Sequence, residues 1–305
     1  MQLAFQTLTA SGPTPYSPFR GLPFDRDVPP RGSRFVRPIL AYRSESCIKI
    51  IGDIHRFEQA QDEGKSSLPA FVISDVAGSL DLCLAVAEYY APMNLMDQVM
   101  LIQAAGYIGL PDEDLIETLL PIMNLPPQRK FLDQLKDLAA LKRPLQELIH
   151  QKALSLKRCR TFLRTADIQD WILLLLECCQ PGINVLTEIL QHIWEIGQRD
   201  ALANQEILES YHLHEGLPDI PLQQRLATIR ETLQRARFPV LSESNDRLSQ
   251  SVAELNLSGN LQLRWDPRFE AQGLELIARL RNVDQAEQLR ELLADKAFRD
   301  LFERI

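Results

Sequence analysis

The sequence predicts an α+β protein that is mostly helical. Strand-like runs are confined to residues 37–73 and 261–280, whereas apolar residues recur at three- and four-residue spacing between them. A 305-residue chain with 45% apolar and 24% charged residues has the composition of an ordinary globular protein and room for two or three cores.

Residues 1–34 are rich in Pro, Ser, Thr and Gly without periodicity and are expected to form an extended arm. Residues 35–79 read as a small strand–helix–strand domain. A strand at Arg37–Leu40 is followed by a second apolar run from Cys47 that ends in Gly52-Asp53, then by a polar turn carrying Arg56 and a helix start. A second strand follows at Leu68–Ile73. A turn of this kind, with Arg56 beside it, is suited to an anion, because N–H groups at a helix start point outward and the helix dipole is positive there.

Residues 80–214 read as a helical domain. Leu80–Tyr90 is a helix stopped before Pro92. Asn94 caps the next, whose apolar face is Met96, Val99, Met100 and Ala104, and which ends near Gly106. Pro111 followed by Asp112, Glu113 and Asp114 marks another start, burying Leu115, Ile116, Leu119 and Leu120. After Asn124-Leu125-Pro126-Pro127, a helix buries Phe131, Leu132, Leu135, Leu138 and Ala139 and exposes Gln128, Arg129, Lys130, Gln134 and Lys136. This tightly joined pair matches a helix-turn-helix. Helices at Leu145–Gln151, Leu156–Thr165, Ile168–Cys178 and Val185–Arg199 follow. Pro218 and Pro221 mark a boundary, and residues 215–305 form a third module. It holds helices at Leu222–Arg237 and about Glu243–Leu255, strands at Leu261–Trp265 and Leu274–Leu280, and a final helix Asp284–Phe302.

The net charge of −8 argues against a polyanionic partner, but its distribution reverses that. Residues 126–166 carry ten basic side chains, including Lys142, Arg143 and Arg164, against Asp133, Asp137 and Glu147. The block is +7 and the rest of the chain −15. The longest apolar run, Trp171–Leu176, is far short of the roughly 20 residues a membrane span needs, so no membrane association is expected. No basic flank precedes an apolar core near Met1, so no signal peptide is expected. Five cysteines without Cys-x-x-Cys spacing read as reduced thiols of a cytoplasmic protein.

The order of these parts resembles the ParB-type partition proteins. The unit Pro38-Ile39 … Ile50-Ile51-Gly52-Asp53-Ile54-His55-Arg56 … Leu68-Pro69-Ala70 is similar to that family's N-terminal domain, which shares its fold with sulfiredoxins. Met93-Asn94-Leu95-Met96-Asp97-Gln98-Val99 resembles the start of its helical DNA-binding domain, and Leu138–Thr161 resembles the helices that follow. The likeness spans about residues 35–200. Arg237-Phe238-Pro239-Val240-Leu241-Ser242 and Phe269-Glu270 are similar to the tails of a divergent branch. The resemblance implies binding of double-stranded DNA in chromosome or plasmid segregation or in local transcription regulation, a homodimer, and a cytoplasmic, nucleoid-associated protein. It assigns DNA contact to Gln128, Arg129, Lys130, Gln134, Lys136, Lys152, Lys157, Arg158 and Arg160.

In that family a Gly-Glu-Arg-Arg box and a Glu-Asn-x-x-Arg box hold CTP with Mg2+. Here the first survives as Gly52, Asp53, His55 and Arg56, a residual nucleotide or phosphate pocket. The second, due near Val86–Tyr90, lacks its Asn and Arg, and the preceding helix is shortened across Val28–Val36. No catalytic set is assigned. The alternatives are a nucleotide-dependent phosphotransferase or hydrolase on the N-terminal domain, or a degenerate protein-interaction scaffold. Asp53-x-His55 alone lacks the further ligands of a dinuclear phosphoesterase. Ile54 stands where sulfiredoxins carry their nucleophilic Cys. His212-x-His214 reads as an exposed helix end rather than a metal site.

Overall fold

The computed structural model describes residues 2–24, 37–44, 47–213, 221–271 and 273–303. The chain divides into two compact units, Met1–Leu174 and Leu175–Ile305. It is α+β and predominantly helical.

The first unit opens with a five-stranded mixed sheet. Its strands are β1 (Gln2–Thr9), β2 (Thr14–Pro15), β3 (Ile39–Arg43), β4 (Ile48–Gly52) and β5 (Ser67–Ser74), in the spatial order β1-β5-β3-β4-β2. β1 pairs antiparallel with β5, from Gln2 opposite Ser74 to Thr9 opposite Ser67. β3 lies parallel to β5 and antiparallel to β4. The first part of the expected arm is thus an edge of the sheet. Alternation fails to reveal it, because Leu3 and Phe5 are 62% and 64% exposed and only Leu8 is buried. Helix α1 (Ile54–Asp62) packs on β3 and β4 and buries Ile54, Phe57 and Ala60. The strand–helix–strand unit expected from the sequence is therefore present, with two further strands. The shortened helix read across 28–36 lies outside the described residues.

The helical layer of this unit is built on α3 (Leu95–Tyr107), packed against α2 (Ser79–Tyr90), α6 (Arg129–Ala140) and α7 (Arg143–Gln151). With Met96, Val99, Leu101, Ile102, Ala104 and Ala105 all buried, α3 is apolar around most of its circumference, as a central helix must be. Asn94 caps it, its side chain accepting from the Asp97 N–H at 2.9 Å. Between α3 and α6 runs α4 (Asp112–Asp114), a π-helical turn at Leu115–Leu119 and α5 (Leu120–Ile122). Ile116, expected in the core, is only half-buried. α8 (Leu156–Arg164) packs against α6.

A short strap ties sheet to helices. Phe19 and Leu22 are fully buried; the Phe24 N–H donates to Asp97 Oδ1 at 2.8 Å, and the Arg143 guanidinium lies 3.8 Å from the Phe24 ring centre.

The division between units falls inside α9 (Gln169–Cys179). The second unit continues with α10 (Ile183–Asp200), α11 (Asn204–Ser210), α12 (Leu222–Arg237) and α13 (Pro239–Glu254). It closes with the hairpin β6 (Leu261–Trp265) and β7 (Leu274–Ala278), then α14 (Val283–Ala294) and α15 (Lys296–Asp300). Leu248, Leu263, Phe298 and Leu301 form the core of its C-terminal part. α13 begins at Pro239, earlier than the start expected near Glu243, since a helix's first turn needs no N–H from proline. The single final helix expected from the sequence is broken at Asp295, whose extended backbone and side chain cap α15 by accepting from the Ala297 N–H. The expected boundary at Pro218 and the residue His214 lie outside the described residues.

Candidate functional site

The Gly52-Asp53 turn is built by backbone geometry that few residues tolerate. Asp53 takes φ 54°, a left-handed conformation in which Asp is among the less strained side chains. A Cβ on Gly52 would stand 2.8 Å from Leu40 Cβ and 3.0 Å from the Tyr89 ring, so only glycine fits between β3 and α2.

This turn carries Asp53 into the interior, where it is 6% exposed. Its Oδ2 accepts from Arg56 Nη1 at 2.7 Å and from Tyr89 Oη at 2.9 Å; its Oδ1 accepts from Tyr90 Oη at 3.2 Å. The Asp53 N–H donates to Tyr90 Oη at 2.6 Å. Tyr89 Oη also lies 2.7 Å from Pro38 O, so its one proton is shared between two acceptors. Burial, and then the Asp53 charge, push both phenols far above their ordinary pKa, so they stay neutral donors. The Arg37 guanidinium stacks 3.8 Å from the Tyr89 ring centre.

The residues present do not fit a nucleotide with Mg2+. Arg56, the cation expected to meet phosphate, is engaged by Asp53, and the pair is largely withdrawn from water, 12% and 8% exposed at the side chains. Tyr89 and Tyr90 stand in the stretch where the second nucleotide box was due. Sequence reading located that stretch and its missing Asn and Arg, but not the tyrosines' role; their signal was two adjacent phenols ending an otherwise apolar helix. His55 sits half-buried on α1. Among the described residues no cluster of three or more His, Cys, Asp or Glu side chains could hold a metal ion.

The basic block is distributed over three helices. Gln128 is the N-cap residue of α6, with Arg129 and Lys130 in the first turn, all exposed. Arg129 pairs with Asp112 at 2.9 Å and Asp133 at 3.0 Å, and Lys136 with Asp112 at 2.7 Å. The hydrogen bond from Lys136, reinforced by the Lys136 and Arg129 charges, holds the Asp112 carboxyl below its usual range. Lys142 pairs with Asp170, and Arg143 with Glu147 at 3.0 Å. The block is therefore less bare than its linear charge suggests, because counting along the chain misses carboxylates that approach from neighbouring helices. Lys130, Lys152 and Lys157 are exposed and make no ion pair among the described residues; Arg158 is exposed on α8.

Two expected contact residues are less available. Gln134 is half-buried with its Oε1 sealed from water and unbonded, and Arg160 is half-buried with its Nε in the same condition. α6 is flanked by both α3 and α8, so its buried arc is wider than a single amphipathic stripe. For the same helix Phe131 and Ala139, expected in the core, are only half-buried.

No family model matches the chain, and no curated protein matches it. Among the described residues no helix is long and apolar enough to cross a membrane.

Proposed function

We propose that the first unit binds double-stranded DNA in the manner of ParB-like proteins, serving DNA segregation or local regulation, with the full chain acting as a homodimer. The observation that carries this reading is the exposed, unpaired Lys130 in the first turn of α6, together with exposed Lys152, Lys157 and Arg158 at the end of α7 and on α8. Phosphate contact by such cations releases counterions and makes affinity salt-dependent. Lys136 contributes only after leaving Asp112, and Arg129 only after leaving both Asp112 and Asp133. The nucleotide-dependent reading is not favoured, because Arg56 is engaged by Asp53.

Binding of labelled duplex at several ionic strengths tests this. Lys130→Ala and Lys157→Ala should each reduce the log–log salt slope by about 0.9, one phosphate contact apiece. Asp112→Asn should strengthen binding, by freeing Lys136, leaving Arg129 with Asp133 alone and removing a like-charge repulsion of the backbone. No binding at low salt, or a slope untouched by both lysine substitutions, would sink the proposal.

A further inference from the structure

The stretches 237–242 and 269–270, singled out in the sequence and unused by DNA binding, converge in the second unit on a cleft of about 570 Å3. Its walls come from α10 (Glu188, His192), α12 (Arg230, Arg237) and the start of α13, and its mouth from the turn between β6 and β7 (Arg268, Glu270). We propose that this cleft is a binding site for a small phosphorylated molecule with an apolar body.

Four observations support it. His192 lines the cleft yet is only 8% exposed, and its ring hydrogen-bonds to nothing among the described residues. With no partner among the described residues, the imidazole has the solvent of the cleft to bond, which a ligand entering there would replace. Three guanidinium groups line the same space. Two are tethered: Arg230 to Glu188 at 2.9 Å, and Arg237 to Glu195. The third, Arg268, makes no side-chain hydrogen bond or ion pair among the described residues and is free to close on a ligand. The α13 N-terminus also opens here: it has no side-chain cap, and Leu241 of its first turn lines the cleft. Its outward N–H groups and dipole favour an anion. Donors approaching from a helix end, a helix face and a turn suit a tetrahedral anion better than a planar carboxylate, which takes a two-pronged grip from one side. Phe238, 38% exposed and set edge-to-face with His192 at 6.4 Å, supplies the apolar wall.

The frame is fixed before any ligand arrives. Arg199 Nη1 donates to Ala236 O at 2.8 Å and Arg237 O at 3.0 Å, holding the α12–α13 corner. Asn245 Nδ2 donates to Pro267 O at 2.7 Å, while Asp266 accepts from the N–H groups of Arg268, Glu270 and Ala271, holding the turn. Preorganisation of this kind lowers the ordering cost of binding.

His192 also supplies the readout. Facing it are Glu188 and Glu195 from its own helix, Arg230 and Arg237 from α12, and Arg268 and Glu270 across the cleft. An anion seated among them stabilises the imidazolium, so binding raises the His192 pKa and tightens as pH falls.

The experiment follows the His192 imidazole resonances of the full chain by NMR during titration with inorganic phosphate and with phenyl phosphate. Sodium chloride at matched ionic strength is the control. Both phosphates should shift His192 and raise its pKa, with phenyl phosphate binding about tenfold tighter, as stacking on one aromatic ring supplies. Arg268→Ala, a change at an exposed turn, should weaken both at least tenfold while leaving the melting temperature of the free protein unchanged. The proposal is overturned if His192 does not respond at millimolar phosphate, if chloride reproduces the response, if phenyl phosphate binds no tighter than phosphate, or if Arg268→Ala leaves binding intact.

Discussion

Asp53 illustrates how one side chain settles the character of a site. Its carboxylate is buried with Arg56 and two phenols, and removing one member of a buried pair leaves the other uncompensated, at a cost of about 3–5 kcal/mol. Asp53→Asn keeps the left-handed backbone and should destabilise the protein by roughly that amount in urea unfolding. Adding Arg56→Met should recover most of the loss. Loss without recovery would mean the pair is not the unit that matters. His192 makes the second prediction at this scale. Burial first, and the Arg237 charge second, lower its pKa in the folded state. The unfolded chain therefore binds more protons than the folded one just below the ordinary histidine value. Stability should fall as pH drops through about 6.5, and His192→Gln should flatten that dependence. An unchanged pH profile in the variant would contradict the sign argued here.

Among the elements, α3 shows what capping adds to a central helix. Asn94 accepts from the Asp97 N–H and donates to Asp97 Oδ2 at 2.6 Å, and Asp97 in turn holds the Phe24 N–H. Asn94→Ala should cost about 1–2 kcal/mol, at the upper end for a lost cap, because the strap at Phe24 loosens with it. Hydrogen exchange at the Phe24 amide should quicken in parallel. Much at this scale was legible in the sequence. The Asn94 cap, the apolar face of α3, the strand pair at 261–265 and 274–278 and the extent of α12 all follow from local periodicity and local capping. What was not legible depended on distant partners. β1 is specified by β5, not by its own pattern, and the ion pairs of Asp112 link positions well separated in sequence; the break at Asp295 is a local exception, a cap set inside a continuous helical pattern. The Asp53 turn could be located from Gly52-Asp53, but its closure by Tyr89 and Tyr90 is a tertiary fact.

For the whole molecule, the thiols report on both units at once. Cys83 and Cys159 are fully buried, and burial pushes each up to about 12; Cys179 in the second unit is buried and raised for the same reason. Cys47 and Cys178 are partly exposed. A thiol reagent at neutral pH should therefore label Cys47 and Cys178 quickly and the other three only on unfolding, since the thiolate is the reactive form. Denaturant series read at Cys83 and Cys179 separately will show whether the units open together. Rapid native labelling of Cys83 would contradict the packing described around α2.

The outermost ribbon of the sheet has a consequence for folding. Among the described strands β1 joins β5 alone, and a long stretch of chain separates the two, so β1 stays unpaired until β5 is in place. Until then β1 is a ribbon without any charged residue to discourage a stranger from docking, and closing it carries the loop entropy of everything in between. Pairing with β5 covers only one border of β1, and Leu3 and Phe5 stay largely exposed, so the finished sheet keeps a sticky rim.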